Sequence, residues 1–163
     1  MLDLLAVEVG HELEPARLTV PSGARVEVDG ADADRRILVE CWAHQGPPKA
    51  AQRHKVLADA FKLTWIATTI YPRPRLILCL SDEQAAAPFL PTSRSWAAQA
   101  LQDLGIVVTV VHLPDEVRLC IQERRSGSTD DGMTAMTAMT ERWLTGAARL
   151  RSEAGKKVEQ SRE

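Results

Sequence analysis

Several familiar signatures are missing from this chain of 163 residues, and each absence removes a class of function. Net charge is −2, so no overall basic field advertises nucleic acid, which argues against a protein that coats DNA by charge alone. A local basic rim stays compatible with that balance, because acidic metal ligands offset basic residues. Aromatic residues are few, and Trp42, Trp65, Trp96 and Trp143 supply most of them. Cys41, Cys79 and Cys120 are odd in number and widely spaced, and with His44 and His54 they make no recognised zinc spacing. Cys41 and Cys79 sit inside apolar runs, where a free cysteine acts as a small hydrophobe, so a reduced protein is expected. The amino terminus lacks the basic start and long apolar run of a signal peptide, and no segment reaches the apolar length of a membrane span. A cytoplasmic location is the expectation. There is no Walker-type glycine loop, no dinucleotide fingerprint and no Gly-X-Ser-X-Gly elbow.

What remains is an ordinary globular composition, 45% hydrophobic and 26% charged, in a chain long enough to bury a core. Leu2 to Val9, closed by Gly10, reads as a first helix. Arg17 to Val20 runs into the turn Pro21-Ser22-Gly23. Arg25 to Asp29 alternates, with Val26 and Val28 on one side and Glu27 and Asp29 on the other. Ile37 to Trp42 resumes strand character, with Ile37, Val39 and Cys41 on one face and Leu38, Glu40 and Trp42 on the other. These three segments read as an antiparallel meander. After Gly46-Pro47-Pro48, Lys49 to Ile70 is helical, with Val56, Ala60, Leu63 and Ala67 in one stripe. Arg75 to Leu80 and Ile106 to Leu113 are apolar strands separated by a helix over Ser95 to Leu104. Pro114-Asp115-Glu116 opens a last helix with proline and acids in its first turn. The order α-β-β-β-α-β-α-β-α implies an α/β domain with a mixed central sheet flanked by helices on both faces.

This domain is expected over residues 1 to 125. Residues 126 to 163 differ: a linker, the repeat Met133 to Thr140, and a segment Glu141 to Ala154 that reads as helix before a polar end. With six acids and six bases they show no charge bias toward a partner. A flexible or partly helical tail is expected there.

Chemistry concentrates on Asp29 and Glu40. Asp29 ends one strand and Glu40 lies within the next, and neighbouring strands run about 5 Å apart. Two carboxylates there, with the main-chain carbonyl of Cys41, would offer a hard divalent cation three oxygen ligands. Each acid alone also has an ordinary explanation, turn chemistry before Gly30 for Asp29 and solvent exposure for Glu40.

An acid at a strand end, ten intervening residues and then Glu-X-Lys in the next strand is the signature of the PD-(D/E)XK nuclease superfamily. Val28-Asp29 and Glu40-Cys41-Trp42 resemble it, and the element order over residues 1 to 125 resembles its restriction-endonuclease-like core, with Glu8 on the preceding helix. The departure is Trp42, which stands where the motif has lysine. The resemblance implies hydrolysis of DNA phosphodiester bonds as an endonuclease or exonuclease, with Mg2+ or Mn2+ held by Asp29, Glu40 and Cys41. It also implies that a lysine from the next helix replaces the missing one. Lys49 and Lys55 are the candidates, Lys49 preferred because it points along the buried stripe, and Gln52 would position substrate. Lys49, Arg53, His54 and Lys55 would form a basic rim, or simply a solvated helix face together with Lys62. Two further readings stay open: an inactive member of the fold serving as a binding or scaffold module, and a protein-interaction domain with a protein partner or as a homodimer.

Overall fold

A computed structural model describes residues 1–126, with side chains through residue 121. A compact unit ends at Gln122. The expected tail and its Glu141 to Ala154 helix lie outside the described residues.

The elements are α1 (Leu2–Val9), β1 (Glu14–Thr19), β2 (Arg25–Ala31), β3 (Ile37–Trp42), α2 (Ala50–Ala67), β4 (Arg75–Leu80), α3 (Glu83–Ala86), α4 (Trp96–Asp103), β5 (Ile106–Val110) and α5 (Asp115–Ser126). The five strands form one open sheet in chain order. β1–β2 and β2–β3 are antiparallel; β3–β4 and β4–β5 are parallel. The fold is therefore α/β, with a mixed sheet flanked by helices. No helix among the described residues is long and apolar enough to cross a membrane.

Period-two alternation divides the core cleanly along β3 and β4. Leu38, Leu76, Leu78 and Leu80 face α2 and α4, packing on Val56, Ala60, Leu63, Ile66, Ala97 and Leu101. Ile37, Val39, Ile77 and Cys79 face the other way, onto Leu5 of α1. Burying each large aliphatic side chain contributes about 1.5–3 kcal/mol, so these two layers supply most of the driving force.

Four details differ from the sequence expectation. β1 starts at Glu14 rather than Arg17. β5 ends at Val110, so His112 stands in an exposed loop, 3.9 Å from Glu83. α2 stops at Ala67, where the hydroxyls of Thr68 and Thr69 donate to the carbonyls of Trp65 and Ile66. A short α3, unexpected from the sequence, is started by Asp82, whose carboxylate accepts the Ala85 N–H.

The most consequential irregularity lies in β2. Ala16 pairs with Val28 but Glu14 pairs with Ala31, so β2 carries one residue more than β1 across that interval. This is a β-bulge at Asp29 and Gly30, opposite Pro15. Proline has no N–H to give to the ladder and is tolerated in edge strands at such breaks. Gly30 suits the close approach of α1, because a Cβ there would collide with the Leu2 side chain.

Candidate functional site

The bulge decides where Asp29 points. Val28 and Ala31 both pack in the α2-side core although they stand three positions apart, which strict alternation forbids. Counted from Val28, Asp29 would face away from Glu40. The bulge takes Asp29 out of that register, and its carboxylate lies close enough to Glu40 for the two charges to interact. Its Oδ2 accepts the Cys41 N–H at 2.8 Å. The β2–β3 ladder is confined to Gly30↔Val39 and Ala31↔Leu38, so the Asp29 carboxylate stands in for the missing main-chain acceptor. In an extended residue the N–H and C=O point to the same side. The Cys41 carbonyl therefore also faces the gap beside Asp29.

Glu40 is buried on the α2 side, only 4% exposed. Lys62, from the fourth turn of α2, reaches it with Nζ 2.7 Å from Oε1. The approach is an ion pair that falls outside hydrogen-bond geometry, since Oε1 has no hydrogen-bond partner among the described residues. Desolvation pushes the Glu40 carboxyl up to about 7, against the opposing pull of Lys62; the nearby charges of Asp29 and Asp59 push it further up.

Two turns earlier on α2, Lys55 Nζ pairs with Asp59 Oδ2 at 2.8 Å. That bond raises the Lys55 pKa, and Asp29 and Glu40 add to the rise. Asp29, Glu40, Lys55, Asp59 and Lys62 thus share one electrostatic neighbourhood of three acids and two bases.

The other sequence candidates sit differently. Lys49 is the exposed residue before α2, and its N–H donates to Gln52 Oε1 at 2.8 Å, closing the first turn. Gln52 Nε2 lies 3.4 Å from His44 Nδ1. Both residues are therefore engaged in the α2 entrance, and the structure brings Lys62 rather than Lys49 to Glu40. Glu8 is exposed on α1, across the sheet from Glu40. Cys41 and Cys79 are register partners on β3 and β4, with free thiols in mutual contact on the α1 side.

Sequence reasoning misses Lys62 and Asp59. A usable signal exists: at 100° per residue, Lys55, Asp59 and Lys62 lie within about 60° of one another. The apolar Ile66 falls on that same flank and is fully buried, so α2 is rolled toward it.

Trp42, in the position of the motif lysine, is half-buried and stacks on the buried His44, with centroids 4.4 Å apart and planes 3° from parallel. The loop carrying His44 is fastened to the end of β4. Ser81 Oγ donates to the His44 carbonyl at 3.1 Å, Gln45 Nε2 donates to Ser81 Oγ, and the Gly46 N–H donates to Asp82 Oδ1. A separate groove of about 410 Å³ lies between the α1–β1 loop and the β2–β3 turn. Its rim carries Glu12, Glu14, Asp32 and Asp34 against Arg17 and Arg35, and none of the clustered charges above lines it. The chemistry therefore does not coincide with that groove. Comparison with protein-family models, with curated proteins and with solved structures finds no match to this chain.

Proposed function

We propose that the unit Met1–Gln122 is an atypical PD-(D/E)XK nuclease with a restriction-endonuclease-like core, hydrolysing DNA phosphodiester bonds with Mg2+ or Mn2+. The observation that carries this reading is the Lys62 ammonium 2.7 Å from Glu40, with the Asp29 carboxylate near enough to push the Glu40 carboxyl up. A lysine from α2 then takes the role that Trp42 vacates.

The donor set suits a hard cation that keeps part of its water shell. Among the described residues no group of three or more His, Cys, Asp or Glu side chains is placed to hold a metal. Asp29, Glu40 and the Cys41 carbonyl would instead share the ion with water and a substrate phosphate, the manner in which magnesium is commonly held. When bound, the ion polarises the phosphoryl oxygen and lowers the pKa of an attacking water. Asp29 keeps its place through the Cys41 N–H. Lys62 offsets phosphate charge and orients the water near Glu40, while Lys55, braced by Asp59, lies on the approach for the phosphodiester backbone.

A second reading, an inactive nuclease-fold binding or scaffold module, is favoured by Trp42 and by the closure of Lys62 directly onto Glu40. A cleavage assay on DNA with Mg2+ or Mn2+ separates the two. Metal-dependent cleavage lost in Asp29→Ala and Glu40→Ala supports the enzyme. A folded wild type without cleavage supports the scaffold, and cleavage surviving both substitutions rejects this site.

A further inference from the structure

We propose that Trp42 is a stacking platform for an unpaired nucleobase flanking the phosphodiester, which makes single-stranded DNA, or a frayed strand end, the preferred substrate. The inference rests on the phosphodiester-site reading above and names its substrate class.

Three observations carry it. First, Trp42 is two residues beyond Glu40 on the same face of β3, about 6–7 Å along the strand. That is about two base steps of a stacked strand, so a base on the indole belongs to a nucleotide two positions from the one at the carboxylates. Second, the ring is held in advance. His44 lies parallel to it at 4.4 Å, and His44 is itself held through Gln52 and through the Ser81 bond to its carbonyl. His44 is buried while Trp42 is half-buried, so the part of the pair open to solvent belongs to the indole. A preset aromatic surface binds without the cost of ordering a free side chain. Third, the exposed cations near the α2 entrance, Lys49, Arg53 and Lys55, follow the same end of the sheet and supply charge for a backbone.

The unpaired state follows from geometry. Inside a duplex both faces of a base are covered by its neighbours, so an indole can take a base face only where the stack is open. Trp42 packs against Leu80's side of the core as well, and stays half-buried. Gln52 and His44 act as positioning residues for the indole.

The test is fluorescence anisotropy with labelled DNA in the presence of a chelator, so that binding is read apart from cleavage. The probes are a short single strand, the same strand with abasic sites, and its blunt duplex. Wild type is expected to favour the single strand over both others. Trp42→Ala should weaken single-strand binding about tenfold or more, leave the duplex affinity unchanged, and leave the abasic strand unaffected. Trp42→Phe, which keeps a ring, should retain most of the binding and controls for folding. Equal single-strand affinity in wild type and folded Trp42→Ala overturns the proposal, as does wild-type binding that ignores base loss or strandedness. Selective single-strand binding through Trp42 without any metal-dependent cleavage would uphold the platform and retire the nuclease activity, so the two failures are distinguishable.

Discussion

Alternate residues of one short strand, β3, build two surfaces with opposite rules. Ile37, Val39 and Cys41 meet α1 in an apolar layer, with Val39 and its neighbour Ile77 fully buried. Leu38, Glu40 and Trp42 meet α2, and there the centre of the sheet holds a buried carboxylate. The first face is explained by packing alone. The second contains a group whose burial opposes its ionisation, and the compensating cation among the described residues is a lysine that is one-third exposed. A fold has no stability reason to place Glu40 there, since a well-packed apolar residue of similar volume serves as well or better. The difference between the faces is what places the proposed site on the α2 side.

The contrast is probed most sharply by truncation on the apolar face. Ile77→Ala should cost about 2–5 kcal/mol in denaturant unfolding, with m unchanged, because the site is fully enclosed. On the other face the opposite sign is expected. Replacing the pair together, Glu40→Leu with Lys62→Met, should leave stability unchanged or raise it by about 1–4 kcal/mol. A large loss in that double variant would mean that the pair is structural.

Acidity sharpens the contrast further. The Glu40 carboxyl is held near 7 against a reference of 4.5, so the fold prefers its protonated form. Its contribution is favourable at low pH, falls as pH rises from 4.5 to about 7, and is constant above that. The span is at most about 3 kcal/mol. Glu40→Gln should remove this part of the stability–pH profile, while Cys41→Ala on the other face of β3 should not. The smallest effect belongs to neither face: Arg17→Ala, which breaks the exposed Arg17–Glu27 pair on the outer hairpin, should change stability by less than about 1 kcal/mol.

Much of this division is legible in the amino-acid sequence. The bounds of β3 and β4, the two faces of β3 and the buried stripe of α2 follow from apolar periodicity, which packing reinforces. The end of α2 is overestimated because Thr68 and Thr69 are compatible with helix composition yet bond back to the last turn. α3 escapes notice because four residues carry no period. At the site, spacing singles out Asp29 and Glu40, but simple alternation does not reveal how Asp29 is turned. The bulge is written in Pro15, an N–H-less residue in an edge strand opposite Asp29-Gly30. Lys62 is passed over because helical angle alone places it on a solvated flank. Only the roll of α2, marked by the buried Ile66, carries that flank over Glu40.

In the proposed site Lys62 supplies from α2 the charge that Trp42 cannot. Single-turnover DNA cleavage at saturating Mg2+, comparing wild type with folded Lys62→Met, tests it most directly. A loss of about a hundredfold or more is expected, the usual scale for a positioned proton-transfer or charge-stabilising group. An unchanged rate in Lys62→Met, or a wild type with no metal-dependent cleavage, would contradict it.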